Sequence, residues 1–132
     1  MISEIFTFEF TVHKTAIDIR NHVNNVAYLQ WCMDAAEAHW LEKTNSEIRE
    51  KYVWYVLNHE ISYKASAFEN EILEVQTWIG TIAGVKSERH YKITRIADQK
   101  VLVEAKTLWC LLNSKTLRPT KIPEEIRTLF LC

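Results

Sequence analysis

Glycine and proline are nearly missing from this chain, with two of each in 132 residues. Sharp turns need left-handed or pre-bent backbone, which these two residues supply at least cost. A sandwich of many short strands would need more of both, so a few long strands and helices are expected instead. Cysteine is scarce and odd in number. Cys32, Cys110 and Cys132 share no C-x-x-C or C-x-x-H spacing. Neither a disulfide framework nor a zinc site follows, and reduced thiols in a cytoplasmic protein are the plain expectation. His13, His39 and His90 have no mutual metal-ligand spacing. Charge of one sign is also absent: the net charge is −1, with no basic cluster threaded by aromatics, so nucleic acid is not expected as a partner. No apolar run approaches a membrane span. The opening MISEIFTFEFTV alternates and lacks a basic head, which predicts a strand rather than a signal peptide.

The hydrophobic fraction, 48%, is enough for one core, and no repeat or linker divides the chain. A single domain over 1–132 is expected. Residues 4–12 set Phe6, Phe8, Phe10 and Val12 on one face of a half-buried strand. Residues 13–24 are polar and aperiodic, a loop. From Asn25 to Lys43 the apolar positions fall at helical spacing, with Asn24 or Asn25 as the cap and three alanines keeping the helix slim. Strands follow over 52–63, 71–82, 85–97 and 100–113. Leu73, Val75, Thr77 and Ile79 share one face, as do Val101 through Leu111 at alternate positions. Lys86, Arg89, Lys92 and Arg95 read as a solvated strand edge. IPEEIRTLF closes as a short helix with Pro123 at its first position. A helix apolar on most sides needs a curved sheet around it, so one antiparallel sheet wrapped on one helix is predicted, in the α+β class. Such a sheet leaves an edge and a face that a second copy would cover.

The stretch D-I-R-N-H-V-N-N-V-A-Y (18–28) places an acid, a histidine and three asparagines at the head of the most hydrophobic helix. It resembles the D-x-x-G-H-V-N-N-x-x-Y signature of hotdog-fold thioesterases, the 4-hydroxybenzoyl-CoA thioesterase-like and long-chain acyl-CoA thioesterase group. It is also similar to the H-V-N-N-V-x-Y segment of plant acyl-ACP thioesterases. E-I-S-Y (60–63), A-F-E-N-E-I (67–72) and W-C-L-L-N-S-K-T-L-R-P (109–119) agree with that group, so the likeness spans nearly the whole chain. Two positions depart from it. Asn21 stands where the group has glycine, and Arg20 where the plant enzymes carry a catalytic asparagine.

The resemblance implies a hotdog fold, a dimer or tetramer, no cofactor and no metal, and hydrolysis of an acyl-CoA or an acyl-ACP. It assigns Asp18, His22 and Asn25 to catalysis and Asn24, Tyr28 and Tyr63 to substrate binding. The chemistry suits these residue types. A thioester loses its thiolate readily, so it needs a carboxylate to activate water or attack, and donors for the oxyanion. A helix start offers unpaired N–H groups and positive potential. Arg20 is placed to pair with Asp18, either keeping it ionised or neutralising its attack. Glu37, on the helix, is the reserve acid. A hotdog protein that binds acyl-CoA without turnover is the competing reading.

Overall fold

The computed structural model describes residues 3–131; Cys132 lies outside them. The alternating start of the chain forms β1 (Phe6–Thr11), with the three phenylalanines facing in. The helix α1 (Asn25–Lys43) has the bounds its periodicity predicts. Asn24 caps it, Oδ1 accepting the Val26 N–H at 2.8 Å. Thr44 ends it, its amide and hydroxyl both donating to the Trp40 carbonyl. A single stripe is buried: Tyr28, Cys32, Ala35, Ala36 and His39. Small residues at its centre let the backbone approach the sheet. Val26, Gln30, Asp34, Glu37 and Leu41 are exposed, so the helix is covered along one side rather than all round.

A short helix, α2 (Ser46–Lys51), leads into β2 (Tyr52–Tyr63), followed by β3 (Ile72–Ala83), β4 (Lys86–Arg95) and β5 (Lys100–Asn113). All neighbours are antiparallel, in the order β1-β3-β4-β5-β2. The chain therefore leaves one edge of the sheet, crosses it as α1, and re-enters at the other edge. Pro123 stands just before α3 (Glu124–Arg127) as its cap, one position earlier than expected.

The strand faces follow the alternation, except in β5, where Leu102 and Cys110 of the other parity are also buried. Leu73, Val75 and Thr77 are fully buried, and Val103, Thr107 and Leu111 face in from β5. One core cluster joins Tyr28 and Cys32 to Leu73, Val75, Tyr91, Ile93 and Val103. A second joins Leu111 to Ile122, Ile126 and Phe130 of the tail. Arg89 corrects the sequence expectation. It is not on a solvated edge but 6% exposed on the inner face of β4, in phase with Ser87, Tyr91 and Ile93. Arg95 is ion-paired to Glu71 and Asp98. Along β2, the edge strand, Val53, Tyr55 and Leu57 stay exposed.

Candidate active site

Residues 16–24 form a small hairpin at the head of α1. The Asn24 N–H donates to the Ala16 carbonyl (2.8 Å), Ile17 bridges Val23, and the Asp18 N–H donates to the His22 carbonyl (2.9 Å). Its tip is a tight turn closed by the Asn21 N–H on the Asp18 carbonyl at 3.1 Å. Asn21 has φ 64°, the left-handed backbone that asparagine tolerates best after glycine, so the turn survives the replacement. Asp18 Oδ1 accepts the Arg20 N–H at 2.8 Å, as an aspartate at the first position of such a turn does. Among the described residues, Oδ2 has no partner.

The other predicted residues divide. Arg20 meets Asp18 through its backbone only; no ion pair joins the two side chains among the described residues, contrary to the expected pairing. His22 presents its carbonyl to Asp18, while its exposed ring lies edge-on to Phe68 at 5.3 Å between centroids. Of the two candidate oxyanion amides, that of Asn24 is engaged by Ala16. Asn25's has no acceptor among the described residues. Tyr63 is half-exposed and donates its hydroxyl to the Asn25 carbonyl at 3.2 Å, beside the first turn of α1. Tyr28 is a core residue rather than a surface contact. It is 2% exposed, and its hydroxyl accepts the buried Ala67 N–H at 2.8 Å. Burial raises its phenol above the usual range. Tyr28→Phe leaves that amide bare and is expected to lower stability by about 1–3 kcal/mol in urea denaturation. A loss well under that would mean another acceptor replaces the hydroxyl.

Sequence reasoning missed a second polar group, at the far half of α1. Arg89 Nη1 donates to His39 Nδ1 at 2.9 Å and to Thr77 Oγ1 at 3.1 Å. Arginine only donates, so the imidazole proton is assigned to Nε2. That nitrogen is buried and stands 3.5 Å from Glu4 Oε1, too poorly aligned for a hydrogen bond. Lys43 Nζ holds the other Glu4 oxygen at 2.6 Å. The signal was present in the sequence: Arg89 falls at an inward position of β4. It was overridden by the ordinary preference of arginine for solvent. Arg89 also lines a cavity of about 510 Å³ between α1, the start of β2 and the tail, walled by Trp40, Trp54, Trp109 and Phe130. Asp18, His22 and Asn25 do not line it.

Burial pushes His39 down to about 4, the Arg89 charge adding to the effect and Glu4 opposing it. In the unfolded chain an imidazole titrates near its ordinary value of about 6.5, so between the two values the unfolded state binds the extra proton. This contribution is complete above about pH 6.5 and is lost as pH falls toward about 4, by about 3 kcal/mol in all. Denaturation midpoints are expected to drop over that window in the native chain and far less in His39→Gln. Equal drops would contradict the assignment.

A long helix laid across a five-stranded antiparallel sheet, with a polar hairpin at the helix head, is the hotdog fold. The chain belongs to the thioesterase-like superfamily, whose family model matches residues 12–130. Solved structures agree in fold. Slr0204 from Synechocystis, a 1,4-dihydroxy-2-naphthoyl-CoA thioesterase, superposes with TM-score 0.84 at 19% identity, covering 96% of this chain and 95% of that one. SAV2348 from Staphylococcus aureus, solved in complex with CoA, gives TM-score 0.86 at 20% identity over 98% and 83%. The chloroplastic palmitoyl-acyl carrier protein thioesterase of Cuphea hookeriana is 22% identical over 125 residues, 93% of this chain and 30% of that protein. The chain spans less than a third of the length of the curated relatives it matches. No helix among the described residues is long and apolar enough to cross a membrane.

Proposed function

We propose that residues 1–132 act as one domain that hydrolyses an acyl-CoA thioester to free acid and CoA. The observation that carries this reading is the hairpin that ties Asp18 to the start of α1 while leaving Oδ2 and the Asn25 N–H unengaged. Asp18 takes a proton from the attacking water, or itself attacks the thioester carbon to give a mixed anhydride that water then hydrolyses, releasing the acid and restoring the carboxylate. The Asn25 N–H, at the positive end of α1, receives the developing oxyanion. The carbon–sulfur bond then breaks and the thiolate leaves, taking up a proton as CoA. Asn24 holds the first turn in place, Tyr63 borders the substrate, and His22 positions it together with Phe68.

The site is open on one side. Ile19 at the hairpin tip is 100% exposed and Val26 72%, and both stand beside the reacting groups. Water must be excluded for a donor to stabilise an oxyanion strongly, and a second copy supplies the cover in a homodimer or tetramer. The bare apolar edge of β2 supports the same assembly. Buried, unpaired Cys32 and Cys110 suit a reducing cytoplasm.

The CoA complex of SAV2348 supports CoA as carrier, whereas the Cuphea relative favours acyl carrier protein. Free-thiol release from short, long and aromatic acyl-CoAs, run beside the matching acyl carrier protein thioesters, decides. Turnover of CoA substrates is expected. Turnover confined to the carrier protein would transfer the reading to that alternative, and tight binding with no thiol release from either would replace hydrolysis by a binding role.

A further inference from the structure

The 510 Å³ cavity has apolar walls and one buried cation. Arg89 is 6% exposed, and no carboxylate lies within ion-pair distance of it among the described residues. Its Nη1 is held by two neutral acceptors, His39 Nδ1 and Thr77 Oγ1, and its charge stands 5.8 Å over the Phe130 ring. Nε and Nη2 have no acceptor among the described residues. An unpaired charge in a protein interior is costly, and a well-packed apolar residue would serve the fold better. The other charged groups on the cavity are Arg49, engaged by Thr44, and Glu37, on the exposed face of α1.

We infer that this cavity is a binding site for an apolar chain ending in a carboxylate, with the Arg89 guanidinium as the group that selects the carboxylate. The planar fork of a guanidinium matches a carboxylate with two parallel hydrogen bonds, and the tryptophan-lined walls take the hydrocarbon. Two sources share this chemistry: the far carboxylate of an acyl group joined to its carrier at the other end, and a free acid. The cavity opens at Met33, and Arg89 meets α1 at His39, fourteen residues along the helix from Asn25, about 21 Å. That span favours the far end of a bound acyl group. The choice of source rests on the thioesterase reading; the binding site does not.

Trp40, Trp54 and Trp109 report on occupancy. Decanoate is expected to change tryptophan fluorescence saturably and raise Tm, with 1-decanol weaker by about tenfold to a hundredfold, as the loss of a charge-assisted hydrogen bond gives. Arg89→Met is expected to fold, with an unliganded Tm at or above the native value, and to bind the two ligands alike. Equal binding of acid and alcohol by the native chain, no binding of either, or a preference retained in Arg89→Met would each overturn the inference. The comparison within the native chain stands even where the variant does not fold. A kcat/KM for hexadecanedioyl-CoA about tenfold above that for palmitoyl-CoA, lost in Arg89→Met, identifies the far carboxylate; similar values, with inhibition by decanoate, identify the free acid. Failure to hydrolyse any acyl-CoA would remove the thioesterase reading and leave the fluorescence result intact.

Discussion

Asp18→Asn is expected to lower thioester turnover by about 10²–10⁴-fold, the usual contribution of a positioned acid or base. The substitution is unusually clean. The turn at the hairpin tip uses one Asp18 oxygen as an acceptor for the Arg20 N–H, and an asparagine carbonyl oxygen accepts the same bond. Only the charge and the basic lone pair are lost. Stability should therefore stay within about 0.5 kcal/mol, as for a surface change that breaks no structural feature. A variant that loses turnover together with its fold would show that Asp18 serves the hairpin, and one that keeps turnover would move the chemistry away from it. Asp18→Ala is the less informative change, because it removes the turn bond as well.

Phe130→Ala should have the largest effect on stability, about 3–5 kcal/mol, in the range of deleted buried aromatics. The ring is 1% exposed. It stacks on Trp40 with centroids 6.1 Å apart and meets His39 edge-on at 4.9 Å. Behind it, the Phe130 carbonyl accepts the Glu4 N–H at 2.8 Å, tying the tail to the strand end of β1. Removing the ring enlarges the existing cavity and takes away the aromatic face 5.8 Å from the Arg89 charge. The denaturation midpoint should fall while the slope is unchanged. A loss below about 1 kcal/mol would mean that the tail opens apart from the rest of the domain and does not share its cooperative unit.

What the sequence disclosed depended on how far each signal is local. The bounds of α1 were legible because Asn24 caps one end and the apolar stripe stops at the other. The strand faces were legible where alternation holds, as at Leu73, Val75 and Thr77 of β3, and less so in β5, where Leu102 and Cys110 of the other parity are buried as well. The order of strands was not, since nothing local in β2 says that it lies at the opposite edge from β1. The hairpin at 18–22 was legible as a motif, while its internal bonds were not: the expected Arg20 side-chain pairing gave way to a backbone contact. Tyr28 resembled a substrate residue by its place in the motif, yet its spacing with Cys32, Ala35 and His39 already put it on the buried stripe. Arg89 was read by residue type when its phase in β4 pointed inward. The cavity it lines is made by residues from α1, α2, β2, β3, β4, β5 and the tail, a convergence no single segment encodes.

The central claim is that chemistry occurs at the head of α1 rather than along its exposed face. Thiol release by Asp18→Asn and Glu37→Gln on one good acyl-CoA, each normalised to folded protein, tests it most directly. The account predicts that Asp18→Asn loses turnover by about 10²-fold or more while Glu37→Gln keeps most of it. The reverse result would contradict it and place the reacting carboxylate on the helix.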